Sequence, residues 1–189
     1  MTSTIPDREP NPKRLIFLAG FMGSGKSTIG PILANTLGFD FVDIDKAIEE
    51  RFGKSVVQIF AEDGETSFRM VEREILGGLV NRTECVVSLG GGTIANEENL
   101  ELILHNGLIV YLHLSPEGIF NRVRHKMHRP LLRGEDGSML PVDDLQEKIE
   151  RLLKAREQFY QQAHIIISTD EKRVGITVDE IVKRLRGRV

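Results

Sequence analysis

The stretch Leu15-Ile16-Phe17-Leu18-Ala19-Gly20-Phe21-Met22-Gly23-Ser24-Gly25-Lys26-Ser27-Thr28 decides how this chain folds. The apolar run Leu15 to Ala19 reads as a buried strand, Gly20 to Ser27 fits the pattern GxxxxGKS, and the amphipathic segment Thr28 to Leu37 reads as a helix. In that order the three parts make a phosphate cradle. Its glycines let the backbone curl so that Gly23, Ser24, Gly25, Lys26, Ser27 and Thr28 can turn amide groups toward a phosphate. Lys26 then reaches the terminal phosphates, and the Ser27 hydroxyl is offered to Mg2+. The helix behind adds roughly half a positive charge at its N-terminus. An ordinary glycine-rich turn is the competing reading, and the register of strand, loop and helix argues against it. Pro31 falls too late to be a first-turn proline, so it should remove a helical hydrogen bond and kink the segment.

Moving outward, four more short apolar runs follow: Phe39 to Ile44, Cys85 to Leu89, Leu108 to Leu114 and Ile165 to Ile167. Longer amphipathic segments separate them. Strands apolar on both faces and joined by helices are the pattern of a parallel sheet covered on both sides, so the class is α/β. Capping chemistry marks helix starts at Ser55 with Gln58, at Thr177 with Glu180, and at Ser115-Pro116. Residues 1–13 hold Pro6, Pro10 and Pro12 but few large apolar side chains, and read as a flexible tail; the rest, 14–189, reads as one domain.

Composition narrows the function. The chain has 189 residues, 40% hydrophobic and 28% charged, with no apolar run near the ~20 residues needed to span a bilayer. Lys+Arg total 25 against 28 Asp+Glu, a net charge of -3, which gives no reason to expect a nucleic-acid partner. A small molecule is the expected partner. One cysteine, Cys85, excludes an internal disulfide, and the first residues lack a secretory apolar core, so a reducing cytoplasm is the expected compartment. No large apolar stripe is left unassigned, which favours a monomer.

A cradle alone does not name what receives the phosphate. The second strand ends Phe41-Val42-Asp43-Ile44-Asp45, and side chains two apart on a strand share a face, so both carboxylates should project together at the carboxyl edge of the sheet, where open α/β sheets bind ligands. One can hold Mg2+ through water and the other accept a proton from an attacking hydroxyl; two solvated acids closing a strand is the bland alternative. After Gly64, Phe68, Glu72, Ile75 and Leu79 fall on one helical stripe, so Glu72 sits in an apolar face and needs a partner such as Arg69. In the long helix after Pro141, Leu145, Ile149, Leu152, Leu153, Phe159, Tyr160 and Ala163 form the apolar stripe, and Arg156 interrupts it. That guanidinium either snorkels outward or faces an anion. Gly90-Gly91-Gly92, at the end of a strand, leaves bare backbone where a ligand can approach, or is simply a tight turn. Arg122, Arg124, Lys126, Arg129 and Arg133 make an acid-free basic patch.

Taken in order, GFMGSGKST, FVDID, GETSFRMVE, SLGGG and HRPLL make the chain resemble the shikimate kinases, metabolite kinases of the P-loop, nucleoside-monophosphate-kinase-like group, over about residues 15–185. The resemblance implies a three-layer α/β/α fold with a central five-stranded parallel sheet, a substrate-binding region near 46–80 and a mobile lid near 122–141. It implies transfer of the γ-phosphoryl group of ATP to the 3-hydroxyl of shikimate, with Mg2+, in the chorismate route to aromatic amino acids. By position, Asp45 resembles the acid that holds the reacting hydroxyl and Asp43 the one that supports the metal through water. Arg69, Arg156 and Gly90 to Gly92 resemble shikimate-binding groups, with Phe60, Phe68 and Glu72 lining or bracing them. Arg129 resembles the lid arginine over the phosphates, and Arg122 one near adenine, a position that Lys172 or Arg173 also approaches. Pro31 departs from the family, which commonly has a basic residue there, and the stretch 134–144 lengthens the lid connection.

Other readings are weaker. His125 and His128 flank Lys126 without a matching Cys or carboxylate, so they do not read as a metal site. Lys183, Arg184, Arg186 and Arg188 could suggest RNA, but cations at a helix C-terminus are expected from the dipole alone. A regulatory nucleotide switch would need a guanine-reading NKxD segment and an acid ending the third or fourth strand, and the chain has neither. Gluconate and nucleotide kinases share the cradle, but not the pairing of DxD and GGG with Arg69.

Overall fold

The computed structural model describes residues 14–124 and 140–189. The tail expected at 1–13 lies outside these residues, as do Arg129, His125, His128 and most of the expected lid.

Five parallel strands form one sheet: β1 (Leu15–Ala19), β2 (Asp40–Asp43), β3 (Cys85–Ser88), β4 (Leu108–His113) and β5 (Ile165–Ser168), in the order β2-β3-β1-β4-β5. The strand β1 is central, pairing Phe17 with Val87 on one side and with Ile109 on the other. Its alternation builds two cores. Leu15, Phe17 and Ala19 enter the layer that holds α2 (Ile44–Phe52), α4 (Gly64–Leu79), α5 (Glu97–Asn106), α6 (Pro116–Val123) and α7 (Val142–Tyr160). Ile16 and Leu18 face the opposite layer, with Ile29 and Leu33 of α1 (Lys26–Leu37) and Val178, Ile181 and Leu185 of α8 (Val174–Leu185). All five β1 side chains are buried, as a strand covered on both faces requires. The short α3 (Val56–Glu62) bridges α2 and α4. Because every strand runs the same way, all carboxyl ends meet at one edge, and the loops there carry the candidate site.

Two capping expectations hold. Ser55 and Gln58 form a reciprocal capping box on α3, and the Ser115 hydroxyl accepts from the Gly118 amide with Pro116 in the first turn of α6. The third does not: α8 starts at Val174 with Arg173 as its N-cap, so Thr177 lies inside the helix, and its hydroxyl donates back to the Arg173 carbonyl at 3.3 Å. A threonine hydroxyl that reaches the carbonyl four residues earlier serves the helix interior as readily as a cap, and the pattern T-x-x-E does not distinguish the two. Pro31 lies within α1, which continues through it, on the exposed side. Just before it, Gly30 lies against the Phe41 ring of β2, where an added Cβ would stand 2.3 Å from Cε2. The apolar stripe of α7 buries Leu145, Ile149, Leu153 and Tyr160, while Ala163 falls beyond the helix end.

Candidate active site

The phosphate loop is built from backbone. Gly23 and Gly25 take φ of 81° and 101°, the left-handed region that other residues enter only at a cost, and Gly25 is the N-cap of α1 with no side chain to cap it. The first amides of α1 therefore face the loop without a capping oxygen from Gly25, the arrangement that receives an anion. Lys26 is buried, and its ammonium donates to the Gly20 carbonyl at 2.7 Å and the Phe21 carbonyl at 3.3 Å, which folds it over the loop. Ser27 and Thr28 follow on the exposed side.

Asp43 and Asp45 both reach this cleft, but not by sharing a strand face. The strand β2 ends at Asp43, which becomes the N-cap of α2 and accepts from the Asp45 and Lys46 amides at 3.1 and 3.4 Å. Asp45 sits in the first turn of α2. The strand argument fails because an aspartate at this point satisfies helix amides better than it continues a ladder. The other Asp43 oxygen accepts from the Ser27 hydroxyl at 3.3 Å. A hydroxyl and a carboxylate oxygen side by side beside the loop are hard oxygen donors, and they fit a Mg2+ ion that Ser27 would hold directly and Asp43 through water.

Several polar side chains converge on the three glycines after β3. A Cβ on Gly90 would stand 2.6 Å from Asp45 Oδ1, 2.9 Å from Thr93 Oγ1 and 3.3 Å from Glu72 Oε1, so only glycine lets those groups close in. A Cβ on Gly92 would meet Arg69 Nη2 at 2.8 Å. Arg156 Nη1 donates to the Gly91 carbonyl at 3.0 Å, and its guanidinium lies over the ring of Phe21, in the phosphate loop, 5.4 Å from the centroid. The guanidinium thus packs between the glycine turn and the phosphate loop.

Glu72 is buried, at 1% exposure, and has the partner it needs. One oxygen accepts from Arg69 Nη1 at 2.8 Å and the other from the Thr93 hydroxyl at 2.6 Å. Burial works against the Arg69 charge, but the Glu72 carboxylate beside it, with help from Glu65, outweighs burial and raises its pKa. Phe68 underlies the same guanidinium at 5.2 Å and packs on Phe60 with centroids 4.8 Å apart.

On the far side of the loop, Arg122 donates to the carbonyls of Gly23 and Thr169, tying the loop to the end of β5. Lys172, paired with Glu180 at 2.7 Å, lines the cleft there, whereas Arg173 serves as the N-cap of α8. Asp170 pins β4 to β5 by accepting from the Ser115 amide and hydroxyl; burial opposes its charge, but these donors hold its carboxyl below the usual range.

The cleft encloses about 380 Å³ and is lined by Gly23, Ser24, Gly25, Lys26, Ser27 and Thr28 along one wall, by Asp43, Asp45 and Gly91 on another, and by Arg122, Thr169 and Lys172 at one end. Arg69, Arg156, Glu72, Phe60 and Phe68 stand around the glycine turn rather than on those walls. Sequence reasoning missed Thr93. Its only sequence signal is indirect, since a buried acid at Glu72 demands donors that local spacing does not name.

A phosphate loop at the end of the central strand of a parallel sheet, with Asp43 and Asp45 on the same cleft, defines a P-loop phosphotransferase. Comparison with known proteins is specific within that class. The family model for shikimate kinase matches residues 22–186. A shikimate kinase of Chlorobium phaeobacteroides strain BS1 is 50% identical over 171 residues, 90% of this chain and 86% of that one. A shikimate kinase structure from Bacteroides thetaiotaomicron superposes with a TM-score of 0.82 at 37% identity, covering 91% of this chain and 98% of that one. One from Acinetobacter baumannii, in complex with shikimate, gives 0.82 at 33%, covering 92% and 93%. The chain belongs to the shikimate kinase family, and thereby to the enzymes that phosphorylate shikimate from ATP in aromatic amino acid biosynthesis.

Proposed function

We propose that the cleft moves the γ-phosphoryl group of ATP onto the 3-hydroxyl of shikimate, and that the residues divide the work as follows. The Gly23–Thr28 backbone, Lys26 and Arg122 hold the nucleotide, with Lys172 toward its adenine end. Ser27, and Asp43 through water, hold Mg2+, which when bound neutralises phosphate charge. Arg156 and Arg69 take the shikimate carboxylate, to which a planar guanidinium is matched. Glu72, Phe60 and Phe68 brace Arg69, and the bare Gly90–Gly92 backbone lets the ring approach. Asp45 accepts a hydrogen bond from the 3-hydroxyl and takes its proton as the new O–P bond forms and the bond to the ADP oxygen breaks, so that phosphoryl and proton both leave their donors within one closed site. Arg129, which the family resemblance assigns as a lid cation, lies outside the described residues.

The observation that carries this reading is the packing of Asp45 against Gly90 in the cleft that also holds Lys26 and Ser27. That packing supports an acid between the two substrates. Phosphoryl transfer needs little covalent chemistry from the protein, so position is most of what the site must provide. No helix among the described residues is long and apolar enough to cross a membrane.

Asp45→Asn tests the assignment. It should keep ATP affinity and lose about 10² to 10⁴ in turnover, the usual contribution of a positioned acid or base. Near-normal rates would exclude the role. A coupled assay on shikimate, gluconate and nucleoside monophosphates tests the substrate; faster turnover of either alternative would refute it.

A further inference from the structure

The turn Gly90–Gly92 has no side chains, so its backbone must be fixed from outside. The Gly91 carbonyl accepts two hydrogen bonds, from Arg156 Nη1 at 3.0 Å and from the Tyr160 hydroxyl at 2.9 Å. The two donors are four residues apart on α7, so one helix face delivers both. Tyr160 is fully buried, with its ring stacked on that of Tyr111 at 4.7 Å between centroids and 11° between planes. A phenyl ring would fill that space equally well. The hydroxyl is what a packing role leaves unexplained, and it points at the turn that borders the cleft. Burial pushes this phenol up to about 12, so it stays a proton donor through neutral pH.

Arg156 has a second claim on it. In the reading above it takes the carboxylate of shikimate, and a guanidinium drawn toward an anion is drawn away from a neutral carbonyl, because hydrogen bonds to charged acceptors are the stronger ones. With Arg156 as sole donor, that movement would strip a partly buried carbonyl, a loss comparable to a hydrogen bond. With Tyr160 in place it does not.

We propose that Tyr160 is a positioning residue for the acceptor: its hydroxyl holds the Gly91 carbonyl, and with it the glycine turn, while Arg156 engages the substrate carboxylate. This inference rests on the assignment of Arg156 to that carboxylate.

The test compares Tyr160→Phe, Arg156→Ala and the double variant, each assayed with shikimate and ATP varied separately. Tyr160→Phe should raise KM for shikimate about 3- to 10-fold, the worth of one hydrogen bond, with kcat and KM for ATP within about twofold. In the Arg156→Ala background the same change should add less than about twofold, since no competition remains to be relieved. Tyr111→Phe, which alters the same ring stack but not the turn, should leave KM for shikimate unchanged. An unchanged KM in Tyr160→Phe beside a large rise in Arg156→Ala overturns this inference and leaves the carboxylate assignment standing. An unchanged KM in Arg156→Ala overturns both. Equal losses toward both substrates, additive effects in the double variant, or a matching rise in Tyr111→Phe would show a structural hydroxyl and overturn the inference.

Discussion

The two sides of the cleft are built by opposite means. The proposed nucleotide side is built on one continuous loop, Gly20 to Thr28, with Lys26 folded back on it and Arg122 and Lys172 at one end. The proposed acceptor side is gathered from four places: Asp45 in α2, Arg69 and Glu72 in α4, the turn after β3 with Thr93, and Arg156 in α7. The first side is set largely by local conformation, with Gly23 and Gly25 in the left-handed region. The second is a network around one buried carboxylate, Glu72, held by Arg69 and Thr93, so loss of a donor there leaves a buried charge short of a partner.

That contrast predicts graded and separable defects. Lys26→Ala should give the largest, with phosphoryl transfer lost to background and the far-UV circular dichroism unchanged, because the loop's main chain survives while the charge does not. A melted spectrum would mean that the nucleotide side leans on that side chain for its fold and would break the contrast. Arg156→Ala comes next. Removing one partner of a charge pair costs ~2 to 5 kcal/mol, roughly 30-fold to several thousandfold, and here it should appear in KM for shikimate with ATP binding preserved. Equal weakening of both substrates would mean that the stacking of Arg156 on Phe21 couples the two sides. Gly90→Ala pushes a methyl group into Asp45 Oδ1, and a displacement of that order at a reacting group lowers kcat by about 10²-fold. Unchanged turnover would show that the turn yields freely. The smallest effect, on stability alone, is expected for Gly30→Ala, far from the chemistry: crowding Phe41 costs ~1 to 3 kcal/mol, of which the better helix propensity of alanine returns up to ~1. Urea unfolding should show the loss, and both KM values should stay put.

The same contrast explains what could be read from the sequence. The five strands and the phosphate loop were legible because their signals are local: apolar runs of strand length, and glycines at fixed offsets before a lysine. The acceptor side was legible only in fragments. Glu72 on an apolar stripe announced that it needed a partner, and the structure supplies Arg69, three residues back, but also Thr93, 21 residues on. No spacing rule reaches Thr93. The pair Asp43 and Asp45 was placed on the right edge of the sheet for the wrong reason, since alternation along a strand cannot foresee that the first acid stops the strand by capping α2. Thr177 failed similarly, because a hydroxyl three residues before a glutamate fits a cap or a helix interior alike. Tyr160 was visible as core, and its hydroxyl, whose partner is 69 residues away, was not.

In the proposed arrangement, Asp45 and the two arginines hold the acceptor in line with the nucleotide's terminal phosphate. A crystal structure with shikimate and a non-hydrolysable ATP analogue bound together tests it most directly. The 3-hydroxyl should lie within hydrogen-bond distance of the Asp45 carboxylate, with the shikimate carboxylate on Arg156 and Arg69. A 3-hydroxyl resting against another group, out of reach of Asp45, would contradict it.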